Sequence, residues 1–188
     1  MKKNSAKIKE MVIIASLGAI VAVLQYISMF IKFGPFNITL ALTPIIIGAI
    51  VYGPKAGGIL GAIMGLVVLF TNSEAFFVVN PFATIVVCII KSTAAGIMAG
   101  YIYRWIKNKT VSIVVSSVMT PIINTLIFAV CCLLFFFPTL QEWANGENTL
   151  VYLFGTMIGL QFIIEFVINS VLAPVVIRIV EMFKNKRK

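Results

Sequence analysis

The sequence predicts an all-α integral membrane protein, a bundle of six transmembrane helices, and three observations carry that expectation. Of the 188 residues 61% are hydrophobic and 11% charged, whereas a soluble domain carries roughly a quarter charged residues. Nearly uncharged stretches recur at about the 20-residue length that a helix needs to cross a hydrocarbon core of roughly 30 Å. These stretches are apolar on every side, unlike the strands of a membrane β-barrel, which alternate apolar and polar residues over about ten positions. Helices remain as the way to satisfy the backbone in lipid.

The first helix is expected over 8–31, ended by Gly34 and Pro35 in the connection that follows. A basic start leading into an apolar run resembles a secretory signal, but this run is too long for an h-region and further spans follow it. The second helix, 39–52, is short for a full span. It ends at Gly53 and Pro54, a glycine past the last turn and a proline that cannot continue the helix. The third, 55–70, is also short, so the two form a tight hairpin. Residues 71–80 read as a loop. Asn80 and Pro81 then open a fourth helix over 81–105, as a cap residue with proline at the first helical position. A basic turn at 106–110, a fifth helix over 111–137, a polar loop at 138–148 and a sixth helix over 149–183 complete one membrane domain spanning 1–188.

The net charge of +9 is distributed at segment ends, which argues against a nucleic-acid surface. Basic residues in short connections stay on the cytoplasmic side. Lys2, Lys3, Lys7 and Lys9, then Lys55, then Arg104, Lys107 and Lys109, and finally Arg178, Lys184, Lys186, Arg187 and Lys188 all fall on one side of a six-helix chain, 13 of the 15 Lys and Arg residues. Lys32 lies outside, Lys91 lies within a span, and Glu74, Glu142 and Glu147 occupy the opposite loops. Both termini are therefore expected in the cytoplasm. Cys88, Cys131 and Cys132 all sit in apolar segments without ligand or disulfide spacing, as small hydrophobes do.

An ionisable group inside a span is costly and is a functional candidate by default. Lys91 and Glu165 are the two. Lys91 lies about ten residues from the outer end of its helix, roughly 15 Å at the helical rise, and Glu165 lies near the middle of the sixth helix. The residues leave two readings open: a buried ion pair joining the helices, or groups facing an outward-open cavity. Gln161, Glu165 and Asn169 share one helix face, as do Thr84, Cys88 and Lys91, and Thr120 and Asn124 add polar groups at a comparable depth. Asn37 and Asn80, at the outer ends of the second and fourth helices, stand where they would close the cavity's mouth, with ordinary capping as the plain alternative. The candidate substrate-binding set is therefore Asn37, Asn80, Thr84, Lys91, Asn124, Gln161, Glu165 and Asn169.

Small residues recur at a spacing of four: Ala15 and Ala19; Gly57, Gly61 and Gly65; Gly96 and Gly100; Gly155 and Gly159. Such spacing lets helix backbones approach closely, and most of these pairs are expected to pack the protein's own helices. On an outer first helix the alanine pair would instead be a flat docking strip. The chain has no His, no phosphate loop, no Cys cluster and no paired carboxylates. No catalytic residue, metal or cofactor is expected, so the chain does not read as an enzyme. An ion-coupled carrier is more often built from two repeated halves, and no duplication is visible. The residues describe a solute-binding bundle without its own energy source.

The order of motifs resembles the substrate-binding S component of an energy-coupling factor (ECF) transporter, the prokaryotic vitamin uptake systems. The motifs are a basic start leading to Ala15 and Ala19, the Gly-Pro connection between Phe33 and Phe36, the apolar run 37–48 with Pro44, the turn Tyr52, Gly53, Pro54, Lys55, Ala56, Gly57, and a glycine-laced third helix. The resemblance implies a multi-pass protein of the prokaryotic plasma membrane that captures a scarce vitamin from outside with its last three helices and outer loops. It implies docking through Ala15 and Ala19 on a membrane T component, and ATP use by two cytoplasmic ATPase subunits. On the family's mechanism the S component topples in the bilayer to carry its solute. Many relatives have an arginine where this chain has Lys91.

Lys91 with nearby amides suits a small carboxylate bearing hydroxyl and amide groups, which favours pantothenate. Riboflavin or another vitamin stays open, because Phe76, Phe77, Phe82 and Tyr152 offer rings for stacking as well as interfacial anchoring. An autonomous small carrier or channel and a non-transporting scaffold are the alternatives of another class.

Overall fold

The structure is a computed structural model that describes residues 2–30, 32–33, 36–37, 39–71 and 73–185, with side chains described except at 2–6, 32–33, 36–37, 160 and 184–185. Helix α1 (Lys2–Ser28) leads through a two-stranded antiparallel turn, β1 (Lys32–Phe33) and β2 (Phe36–Asn37), into α2 (Leu42–Tyr52). Then follow α3 (Pro54–Thr71), the short α4 (Glu74–Val79), α5 (Pro81–Trp105), α6 (Lys109–Phe135) and the short α7 (Phe137–Trp143). The last element starts as one turn, α8 (Thr149–Val151), widens into a π-helix at Tyr152–Met157, and continues as α9 (Gly159–Asn185).

Among the described residues five helices are long and apolar enough to cross a membrane, Lys7–Ser28 within α1, α3, α5, α6, and Gln161–Phe183 within α9. Bulky apolar side chains such as Met11, Phe70, Leu134 and Val171 stand outward around the bundle, an arrangement suited to lipid rather than water. Helix α2 is different. Its 11 residues rise about 16 Å, half a hydrocarbon core, and Pro44 through Ile50 are all buried. It is a central pillar wrapped by longer helices. Gly53, at φ 97°, makes the sharp exit from α2, and the Arg104 guanidinium lies where its Cβ would be.

The tightest contact is α3 on α5. A Cβ on Gly57 would overlap the Gly96 carbonyl oxygen, one on Gly61 the Ser92 carbonyl oxygen, and one on Gly65 would stand 2.6 Å from the Cys88 carbonyl oxygen. Gly100 in turn faces the Pro54 backbone at 2.7 Å. The two backbones touch over three turns, which is how helices associate where lipid removes the hydrophobic driving force. Gly155 and Gly159 do not share this role: no neighbour lies within 4 Å of a Cβ at Gly155, and Gly159 meets only the Phe154 backbone.

Two segments expected as loops carry helices. Within 71–80, Ser73 precedes the six-residue α4, which buries Phe76. Within 138–148, Pro138 sits in the first turn of α7, which buries Leu140; proline there is a helix-start signal. Both short helices lie over one end of the bundle, each turning one buried side chain into it. Phe76 meets Phe128, Phe136 and Trp143 edge-on at centroid distances of 5.8, 5.0 and 5.4 Å, within an apolar cluster that includes Leu140 and Leu153. The opposite end is closed by Ile46, Ile50, Tyr103, Ile113, Val176 and Val180. The π turn, where the Ile158 amide donates to the Leu153 carbonyl at 2.9 Å, interrupts the sixth helix expected over 149–183. Glycines at 155 and 159 weaken the α-helical preference there, and such turns are frequent beside functional sites.

Candidate functional site

Beneath these two short helices lies a narrow cavity lined by α1, α3, α4, α5, α6, the start of α9 and Thr39 in the segment leading into α2. About 770 Å³ of atom-free space lies within it, mouth included, but a water's centre can reach only about 60 Å³ of it. At 10–15 Å³ for each, that is roughly five water positions.

Helix α5 supplies one wall. The Asn80 side chain accepts a bond from the Ala83 amide at 3.1 Å and fixes where the helix begins. The spacing 84, 88, 91 then turns Thr84, Cys88 and Lys91 to the cavity. Thr84 Oγ1 donates to the Asn80 carbonyl at 2.8 Å, so its hydroxyl proton is committed to its own helix. Lys91 Nζ stands 4.5 Å from the centroid of the Phe128 ring, an attraction between a cation and the ring's negative face.

The facing wall comes from α9. Glu165 is 1% exposed. Its Oε1 accepts from the Thr39 amide at 2.8 Å and from Gln161 Nε2 at 3.0 Å. The carboxyl group is therefore held by the segment entering α2 and by the turn before it on its own helix. Asn169, one turn further, donates from Nδ2 to the Glu165 carbonyl at 2.8 Å and accepts from Thr43 Oγ1 at 3.3 Å. It joins α9 to α2 and does not line the cavity. Helix α6 contributes Asn124, Thr125 and Phe128, and Asn124 Oδ1 is buried with no hydrogen-bond partner.

Thr84, Lys91, Asn124, Gln161 and Glu165 thus meet in one cavity. Asn80 is exposed and serves as a cap, and Thr120 bonds the Ser116 carbonyl within α6. Asn37 lies in β2 with its side chain outside the described residues. Of the aromatic candidates Phe76 lines the cavity, whereas Phe77 and Phe82 point outward and Tyr152 packs against the apolar cluster that includes Phe76 and Leu140. Ala15 and Ala19 are exposed on α1. Sequence reasoning missed Gln25, Thr39, Phe128 and Phe162, which also line the cavity. An amide at position 25, inside an otherwise apolar span, was the available signal for the first of these.

Capping gives Asn80 a role that can be separated from solute contact. Asn80→Ala is expected to cost about 1 kcal/mol of stability, a fall in Tm of about 2–4 °C for a chain of this size. Solute affinity, measured by titration calorimetry, should stay within twofold of the parent's.

Among the described residues no three Cys, Asp or Glu side chains gather as metal ligands. What the cavity offers is one amine, one carboxyl group, neutral amides and hydroxyls, and aromatic walls. That is the chemistry of binding a small polar solute out of water, with a few placed polar groups among apolar ones.

Comparison with known proteins gives the same direction. Residues 9–177 match the family described as ECF transporter, substrate-specific component. The chain is 27% identical over 195 residues to the pantothenic acid transporter PanT of Lactococcus lactis subsp. cremoris (strain MG1363), an alignment covering 94% of this chain and 95% of PanT. The chain belongs to the family of substrate-specific components of ECF transporters.

Proposed function

We infer that this chain captures pantothenate outside a prokaryotic cell and delivers it for import driven by ATP hydrolysis in partner subunits. The observation that carries this is Lys91, an ammonium group set in a cavity whose other polar groups are amides, hydroxyls and one carboxyl group already held by Thr39 and Gln161. Pantothenate is a carboxylate with two hydroxyls and an amide, and its anionic end matches the one amine. The relation to PanT supports the same solute.

Counting α2 as a sixth, shortened crossing puts both termini on one face of the membrane. Lys55, Arg104, Lys107, Lys109 and Arg178 belong to the helix ends away from the cavity, so the rule for basic residues faces the cavity outward. The exposed Ala15 and Ala19 leave a smooth strip on α1 for a T component, and the ATPase subunits complete the assembly. Seating a vitamin requires the lining side chains to move apart, among them Phe76 of the short α4. Phe76 meets Phe128, Phe136 and Trp143 edge-on rather than in parallel, an arrangement that does not favour stacking of a flat ring such as riboflavin's.

The test is to purify the chain without added ligand and identify small molecules released on denaturation by mass spectrometry. Stoichiometric pantothenate, or a Tm raised by pantothenate and not by riboflavin, is the expected result. Retention of riboflavin alone would reassign the solute. Uptake into vesicles by the chain alone would make it an autonomous carrier, and no response to any vitamin would leave a scaffold.

A further inference from the structure

Helix α1 has two unlike faces. Outward it shows Met11, Val12, Ala15, Ala19, Val23 and Tyr26. Inward, Val21, Gln25 and Ser28 are buried at spacings of four and three, which places them on one line. Ser28 is accounted for, since its Oγ donates to the Leu24 carbonyl at 2.8 Å and accepts from the Leu40 amide at 3.3 Å. Gln25 is not. Its side chain is 1% exposed and lines the cavity, and its Oε1 is buried without a hydrogen-bond partner. Across the cavity Asn124 Oδ1 is in the same condition.

Buried polar atoms in folded proteins are almost always satisfied, and a lone acceptor is the expensive case. A leucine of similar volume would fill the position without that cost. We propose that Gln25 is a specificity-determining residue of the solute site, its Oε1 accepting a hydrogen bond from an O–H or N–H of the bound molecule, with Asn124 Oδ1 as a second acceptor. The proposal rests on the cavity being the solute site. It adds that a carboxylate is not enough: the solute must carry hydrogen-bond donors. Sites that bond a donor reject analogues lacking it far more strongly than apolar pockets sort solutes by size.

The test compares the full-length parent with Gln25→Leu in detergent, using pantothenate and hexanoate, a carboxylate with no donors beyond its acid group. In the parent, pantothenate should bind more tightly than hexanoate. In Gln25→Leu, pantothenate affinity should fall about tenfold or more, hexanoate affinity should hold or improve, and the Tm without ligand should hold or rise. A parent that binds neither pantothenate nor any other vitamin overturns the reading of the cavity and the proposal with it. Parent binding with Gln25→Leu unchanged overturns the role of Gln25 alone. An equal fall for both ligands, or a Tm lowered by several degrees, also overturns it by placing Gln25 in the packing of α1. Lys91→Met provides the contrast, since it should weaken both carboxylates.

Discussion

Replacing Lys91 by methionine is expected to lower pantothenate affinity by about thirtyfold or more while leaving the unliganded bundle as stable as the parent. Truncating one member of a desolvated charge pair costs about 2–5 kcal/mol, and each 1.4 kcal/mol is tenfold in affinity. The solute's carboxylate would lose its one cationic partner in the cavity. Methionine keeps an unbranched stem against Phe128, where Lys91 Nζ now stands 4.5 Å from the ring, and thioether contacts with aromatic rings are themselves favourable. A buried ion pair with Glu165 predicts the opposite balance. Removing the amine would then strand the carboxyl group, a change that costs about 3–5 kcal/mol, and Lys91→Met/Glu165→Gln would restore the Tm. The hydrogen bonds donated to Glu165 by Thr39 and Gln161 favour the first outcome. Titration calorimetry with thermal unfolding of both variants decides between them.

How much of this was legible in the sequence depended on whether a residue's partners were local. The start of α5 was legible because Asn80 and Pro81 are neighbours and their capping is a local interaction. The Gly53 exit was legible for the same reason. The spacing of Gly57, Gly61 and Gly65 announced a close approach, but not that Gly96, Ser92 and Cys88 would receive it. Stripes at four-residue spacing placed Thr84 with Lys91 and Gln161 with Glu165, since side chains one turn apart share a face.

The same spacing put Asn169 in that row, but its side chain does not line the cavity. Three residues in one row span about 12 Å of helix, and the cavity ends before the third, where α2 crosses α9 and takes the amide's bonds. Thr39 was invisible because it lies in the connection before α2, where no helical spacing ties it to the other polar groups, and the amide it donates is one that every residue but proline has. The short helices α4 and α7 were missed because six or seven residues show too little periodicity to separate a helix from a loop. Gln25 stands apart from any stripe of amides or charges, so spacing did not single it out, although an amide buried in an apolar span raises the question of what satisfies it.

Gly61→Val should do the most damage to the bundle of any substitution considered. A Cβ at this position would overlap the Ser92 carbonyl oxygen and stand 2.9 Å from the Thr93 Cα, and both belong to backbone. A flexible side chain would turn aside, but here the helices themselves must part. Separation would propagate to Gly57 against Gly96 and to Gly65 against Cys88, because rigid helices cannot open at one turn and stay closed at the next. Overpacking a tight site costs typically 1–3 kcal/mol and more where nothing yields; about 3 kcal/mol corresponds to a Tm lowered by about 6–12 °C at this size. Gly155→Ala is the matched control, since no neighbour lies within 4 Å of its Cβ, and its Tm should stay within about 3 °C of the parent's. The solute site should feel the difference too. Ser92 adjoins Lys91 on α5, so moving that helix shifts the ammonium against Gln161 and Glu165 on α9. Pantothenate affinity in Gly61→Val, measured well below its Tm, should therefore fall at least tenfold although the substituted residue touches no solute. Affinity unchanged in a chain whose Tm has dropped would show that α5 holds Lys91 in place without α3, and that the glycine seam serves only the bundle.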